Sequence, residues 1–208
     1  KLAKWIGDAK YINKRKIINA LKEVFKKDIF KLSMNCNQIT DGNGARKVLE
    51  IILLNTDIKL KARLAKFEDK ELVFNWANDP LVRKNALDKK KILKSEHSKW
   101  FSSRIYNLSK FKIFIIETIN ELPVGQVRFE QKNNKWIVSY SIAKYARGKG
   151  LGVKLLKTAI TVFRNNNQLE LIGYVKKKNF KSCKIFEKLG FKSKKYKNNN
   201  IKIFKLNV

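Results

Sequence analysis

The sequence predicts an α/β (α+β) domain behind a shorter helical segment, and three features carry that reading. Three strand-like runs, Lys112–Thr118, Val124–Glu130 and Lys135–Ala143, are separated only by Asn120–Pro123 and Gln131–Asn134, the spacing of an antiparallel meander. The third run passes through a glycine-rich turn into an amphipathic stretch, Lys149–Phe163. A strand at Leu169–Val175, a helix at Phe180–Leu189 and strands at Phe191–Tyr196 and Ile201–Leu206 complete the pattern, with turns at Asn165–Asn167 and Asn198–Asn200.

The elements before the meander follow from the same periodicities. Ile17, Ile18, Leu21, Val24 and Phe25 sit at helical spacing within Lys14–Lys27. A turn-rich stretch, Asn35–Asn43, precedes a second helix over Gly44–Leu54. The polar break Asn55-Thr56-Asp57 marks the expected boundary between a segment 1–56 and a domain 57–208. Ile58–Leu64 alternates apolar and basic residues as a half-buried strand does. Glu68–Asn78 reads as a helix with Leu72, Val73 and Trp76 inward, stopped by Asp79-Pro80. Ser95 is the expected cap of a helix to about Leu108, with Trp100, Phe101 and Ile105 on one side.

Composition excludes several functions. Two cysteines, Cys36 and Cys183, cannot make a disulfide framework, and a single histidine, His97, excludes a multi-histidine metal centre. The longest apolar stretch, Val48–Leu54, is interrupted by Glu50 and falls far short of the ~20 residues of a membrane span. Without an apolar region near Lys1, the expectation is a cytoplasmic protein with no membrane partner. The chain opens on Lys1 and its one Met is Met34, so it is expected to be a piece of a longer polypeptide.

The 48 Lys+Arg against 17 Asp+Glu give a formal charge of +31, which first suggests nucleic acid. However, 40 of those cations are Lys and only 8 are Arg, beside 21 Asn and 22 Ile, residues with AT-rich codons. Base readers rely on the planar fork of Arg. Most of the charge is therefore read as a solvated lysine surface, and nucleic acid is not the expected partner.

The chemistry sits in Arg147-Gly148-Lys149-Gly150-Leu151-Gly152. A glycine turn at a helix N-terminus presents free backbone N–H groups and lets an anion approach closely, which suits a phosphate. No Gly-Lys-Ser/Thr closes the turn, so it is not a Walker loop. It follows a meander instead of opening a βαβ unit, which disfavours a dinucleotide fingerprint.

Arg147-x-x-Gly150-x-Gly152 resembles motif A of the GNAT N-acetyltransferase superfamily. Asn179-x-x-Ser182-x-x-x-Phe186-Glu187-Lys188-Leu189-Gly190-Phe191 resembles its motif B. The resemblance runs from about Ile58 to Leu206 and implies the GNAT acyl-CoA fold, a mixed six- to seven-stranded sheet flanked by helices. It implies acetyl-CoA as co-substrate and no metal. Backbone groups of Gly148 to Gly152 would hold the pyrophosphate, helped by Arg147 and Lys149. The strand end at Ile142 and Ala143 would pair with the pantetheine, and Asn179 and Phe186 would line it. A neutral amine would attack the thioester through a tetrahedral intermediate. Many relatives carry Tyr where this chain has Phe186, so the usual acid is missing; the expected alternatives are a substitute acid, Ser182 or Tyr145, or unassisted departure of the thiolate with protonation by water.

Trp76-Ala77-Asn78-Asp79-Pro80-x-Val82-Arg83, His97-x-x-Trp100-Phe101 and Gly125-Gln126-Val127-Arg128-Phe129 resemble the members acting on nucleotide-linked amino sugars in pseudaminic acid synthesis. Strand alternation puts Gln126, Arg128 and Glu130 on one face. Arg128 would grip a diphosphate, Gln126 and Trp100 would contact the substrate, and Glu130 or His97 would take the amine's proton. Asp41-Gly42-Asn43-Gly44-Ala45-Arg46-Lys47-Val48 resembles the end of a glycosyltransferase-B-like UDP-sugar hydrolase, which would make 1–56 the tail of a fused partner. Competing readings are a protein N-terminal acetyltransferase, a basic nucleic-acid module, or a domain that binds CoA without turnover.

Overall fold

The computed structural model describes residues 10, 12–25, 44–54, 57–164, 169–195 and 200–208. The expected turns at Asn35–Asn43 and Asn165–Asn167, and Tyr196 to Asn199 of the last turn, lie outside them. The chain divides into two compact units, Lys1–Ile52 and Leu53–Val208. In the first, α1 spans Lys14–Phe25, and the Asn13 side chain caps it by accepting the Lys16 N–H at 3.0 Å. Helix α2 spans Gly44–Leu53.

The second unit is one seven-stranded sheet. Its strands are β1 (Leu60–Leu64), β2 (Phe111–Thr118), β3 (Pro123–Lys132), β4 (Lys135–Ile142), β5 (Glu170–Lys176), β6 (Lys192–Lys195) and β7 (Ile201–Asn207), in spatial order 1-2-3-4-5-7-6. Every neighbouring pair is antiparallel except β4 and β5, which run parallel. Helices α3 (Lys70–Ala77), α4 (Pro80–Asn85) and α5 (Lys94–Ile105) lie between β1 and β2; α6 (Leu151–Arg164) joins β4 to β5, and α7 (Phe180–Lys188) follows β5.

The meander is tight because its turns suit left-handed backbone. Asn133 and Asn134 take φ of 48° and 58°, values Asn tolerates better than most residues. Along β4 the alternation sends Trp136 and Val138 to the face covered by α6. There Phe163 stacks on Phe129 at 3.9 Å between ring centroids and meets Trp136 edge-on at 4.9 Å. Leu155, Leu156 and Ala159 of α6 are fully buried on the same side. Each large apolar side chain so buried contributes about 1.5–3 kcal/mol. The opposite face of β3 and β4 is left for Gln126, Arg128, Glu130, Ser139 and Ser141.

Two expectations are corrected. Asp79-Pro80 does stop one helix, but it also starts α4: the Asp79 carboxylate accepts the Leu81 and Val82 N–H groups, and Pro80 takes the first helical position. Ser95 is not a cap, because α5 begins one residue earlier at Lys94. The Glu96 carboxylate reaches back to the Leu93 N–H at 3.3 Å and does that work instead.

Candidate active site

The parallel strands β4 and β5 pair only at Trp136–Leu171 and Ile137–Ile172. Beyond that point β4 remains bonded to β3 and β5 to β7, so the two strands part and leave a gap in the middle of the sheet. Residues 138–142 of β4 keep their β3 partners on one edge and face this gap on the other, where no strand among the described residues pairs with them. An unpaired strand edge is a template for an extended ligand carrying amides. The gap opens at the carboxyl ends of two parallel strands, where α/β sheets hold their ligands.

The glycine turn stands at the end of β4. Gly148 and Gly150 adopt φ of 78° and 74°, in the region where a side chain is disfavoured. The N–H groups of Gly148, Lys149 and Gly150 donate to no acceptor among the described residues, and the first turn of α6 adds its own. This is a cradle for a phosphate. Gly152 is needed for another reason. A Cβ there would lie 2.4 Å from Cδ1 of Ile185, so its absence lets α6 and α7 approach.

The Arg147 side chain serves the frame of this turn. Its Nε donates to the Ile142 carbonyl at 2.9 Å and its Nη2 lies 2.9 Å from Asp79. Burial works to raise the Asp79 pKa, but Arg147 and the capping N–H groups outweigh it and hold the carboxyl below its usual value. The expected phosphate contact through this guanidinium is therefore replaced by an anchor between the turn and α4.

On the other face of the sheet lies a cleft lined by Trp100, Arg104, Phe111, Ile113, Arg128, Glu130, Ile137 and Ser139. Arg128 Nε donates to Ser139 Oγ at 3.2 Å. The guanidinium carbons of Arg104 and Arg128 lie 5.2 and 5.4 Å from the Trp100 ring centre. Burial, with the cations of Arg83 and Arg104 nearby, pulls the Arg128 pKa down. No carboxylate among the described residues forms an ion pair with Arg128. Glu130 faces the cleft but pairs with Lys132 at 3.3 Å. The Nε groups of Arg83 and Arg104 and Oε1 of Gln126 are buried without a partner. Gln126 is held by its other end, 3.3 Å from Ser141 Oγ.

Arg128, Glu130 and Trp100 thus come together in the cleft, whereas Gln126 is 2% exposed on the same sheet face and does not line it. His97 is only 3% exposed and packs among Phe74, Trp100 and Phe101, outside the cleft lining. Burial and then Arg128 lower its pKa, and its Nε2 is buried without a partner. Phe186 packs beside Tyr140 of β4, with ring centroids 6.0 Å apart. It is 2% exposed, stacked on Phe204, and lies where a Cβ on Gly173 would touch its ring at 2.5 Å. Tyr145 donates its hydroxyl to the Pro123 carbonyl, away from the gap. Cys183 is buried, and burial raises its thiol pKa. Asn179 caps α7 by accepting the Ser182 N–H at 3.3 Å. Sequence reasoning includes Arg83 in a motif without giving it a role, and misses Arg104 and Tyr140. Arg104 had a signal, since it follows Trp100 by four residues on one helix.

A seven-stranded mixed sheet split between two parallel strands, with a phosphate cradle at the split and a separate cleft behind it, defines an acyl-CoA-type transferase. The chain matches the acetyltransferase (GNAT) domain family over residues 59–192 and belongs to that family. It is 28% identical to uncharacterised protein MJ1062 of Methanocaldococcus jannaschii over 177 residues, 80% of this chain but 36% of that protein's length. A solved domain from M. jannaschii aligns with a TM-score of 0.63 at 26% identity, covering 73% of this chain and all of that one. The spermidine N-acetyltransferase of Vibrio cholerae, solved with CoA and spermine, has the same fold, with a TM-score of 0.63 at 18% identity over 71% of this chain and 95% of that one. The chain thus carries an acetyltransferase (GNAT) domain. No described helix is long and apolar enough to cross a membrane. No group of three or more His, Cys, Asp or Glu among the described residues is placed to hold a metal.

Proposed function

We propose that the domain transfers an acetyl group from acetyl-CoA to the amine of a UDP-linked 4-amino-4,6-dideoxy sugar. The observation that carries this reading is the acceptor cleft, where Arg104 and Arg128 meet at Trp100 and Arg83 adds a third cation within electrostatic reach. Guanidinium groups that outnumber Glu130, the carboxylate in the cleft lining, favour an anion, and a diphosphate matches their forks. The exposed part of Trp100 suits a base or sugar ring. A polyamine, the acceptor type of the Vibrio neighbour, is a polycation that these arginines repel.

The residues fit acetyl-CoA by two features already described, the free amides at Gly148–Gly150 and the unpaired edge of β4. When bound, acetyl-CoA supplies an activated acyl thioester. The Gly148 to Gly152 amides hold the pyrophosphate and Lys149 adds positive charge. The β4 edge near Ile142 and Ala143 orients the pantetheine, and Asn179 borders it. Glu130 faces the acceptor cleft, takes the proton of the attacking amine and releases it to solvent. Residues 1–56 are read as the end of a UDP-sugar hydrolase, on the strength of Gly44–Val48 and the preceding Asp41–Asn43, which lie outside the described residues.

The test is thiol release from acetyl-CoA with UDP-4-amino-4,6-dideoxy sugars, spermidine and a peptide with a free N-terminus offered side by side. The expected order is nucleotide sugar far above both others. Turnover confined to spermidine or the peptide would overturn the acceptor assignment.

A further inference from the structure

We propose that Tyr140, backed by Ser182, is the proton donor to the thiol that leaves during acetyl transfer. The inference rests on the acetyltransferase reading of the domain and is independent of which amine is the acceptor.

Tyr140 lies on the part of β4 that has lost its parallel partner, three residues beyond the last paired residue, Ile137. Its hydroxyl is 2.6 Å from Ser182 Oγ, in the first turn of α7. The bond therefore links the two elements that the split separates, β4 on one side and the helix following β5 on the other. A thioester chain lying along the free edge of β4 passes beside this bridge. The other groups there are unsuited to donate. Phe186 has no hydroxyl and is buried against Gly173, Cys183 is buried, and Tyr145 is bonded to Pro123. Burial pushes the Tyr140 phenol up to about 12, with the Ser182 hydrogen bond opposing, so it keeps its proton through the neutral range.

The step balances as follows. The acceptor nitrogen bonds to the acetyl carbon, the carbon–sulfur bond breaks, and its electron pair goes to sulfur. The phenolic proton of Tyr140 passes to that sulfur, Ser182 stabilises the phenolate by donating its hydroxyl hydrogen bond, and a proton from solvent restores the phenol. The proton shed by the amine leaves separately through Glu130. A fixed donor aimed at charge that develops on sulfur is worth most in a site screened from water.

The test compares wild type with Tyr140→Phe and Ser182→Ala. First, the thiol of bound CoA is titrated by its ultraviolet thiolate absorbance. Loss of the donor raises its pKa by about one unit in Tyr140→Phe, the scale of one charge-assisted hydrogen bond. The dissociation constant of CoA stays within about twofold, which shows that the site is folded. Second, kcat with the best acceptor falls about 100-fold in Tyr140→Phe and about tenfold in Ser182→Ala. The loss shrinks to a few-fold with an acetyl-CoA analogue whose thiol is made more acidic by fluorine beside the sulfur. An unchanged thiol pKa, or an equal loss with both thioesters, overturns the proposal. Failure of every nucleotide sugar as acceptor leaves the titration to decide alone and counts only against the acceptor assignment.

Discussion

Arg128 shows how one side chain acquires a role from its surroundings. On sequence grounds it is one of eight arginines in a chain with 40 lysines. In the fold it is anchored to Ser139, set against Trp100, and left without an ion-paired carboxylate among the described residues. Its forked donors are held ready for an anion whose binding relieves the repulsion from Arg83 and Arg104. Arg128→Ala is expected to raise the KM for the nucleotide-sugar acceptor about tenfold to a hundredfold, with the Kd for CoA unchanged. Steady-state kinetics beside CoA titration check this. Strand alternation was enough to put Gln126, Arg128 and Glu130 on one face, because the period of two is a property of the strand itself. It could not show that Arg83 and Arg104 converge on them, because that depends on how α4 and α5 pack. Tyr140 and Ser182 are 42 residues apart, and only the split sheet brings them together.

The packing of β1 onto β2 depends on a charged knot. Arg63 donates to both oxygens of Asp69, at 2.7 and 2.9 Å, and to Glu117 at 3.0 Å. Asp69 also accepts the Lys66 N–H at 2.7 Å, closing the one-turn helix at Phe67–Asp69 that leads into α3. Burial works to raise the Asp69 pKa, and the bonds from Arg63 and Lys66 overcome it, so the folded value lies below the unfolded one. The stabilisation is therefore complete above the unfolded carboxyl value of about 4 and disappears as pH falls through the lower, folded value. Asp69→Asn is expected to cost about 3 kcal/mol at neutral pH, the low end for a broken buried pair because Arg63 is about a third exposed. It also removes part of the acid-induced loss of stability. Urea unfolding at neutral and acidic pH measures both. The sequence reading recovered the elements around this knot but passed over α4. Asp79-Pro80 was taken as a stop alone, although a carboxylate followed by proline is also a helix start. Motif B locates Phe186 in the sequence, whereas the room that Gly173 leaves for its ring is a contact that is not local in sequence.

The net charge of +31 sets how the whole molecule responds to salt. With 48 basic and 17 acidic side chains, most lysines have no carboxylate to pair with, and the folded chain repels itself. The melting temperature is expected to rise between about 10 mM and 150 mM salt, as the screening length shrinks from roughly 30 to 8 Å. A scanning-fluorimetry series in sodium chloride shows this directly. Over the same range the KM for an anionic acceptor should rise, because salt competes for the arginine cleft. The opposite trends separate diffuse surface charge from the few cations placed for function.

The central claim is that a cationic, tryptophan-lined cleft selects a nucleotide sugar for acetylation. Its most direct test is the ratio of kcat/KM for a UDP-4-amino-4,6-dideoxy sugar to that for spermidine, measured by thiol release in wild type and Arg128→Ala. The account predicts a ratio well above one in wild type that collapses in the variant, mainly through the KM of the sugar. A wild-type ratio below one, or a ratio that Arg128→Ala leaves unchanged, would contradict it.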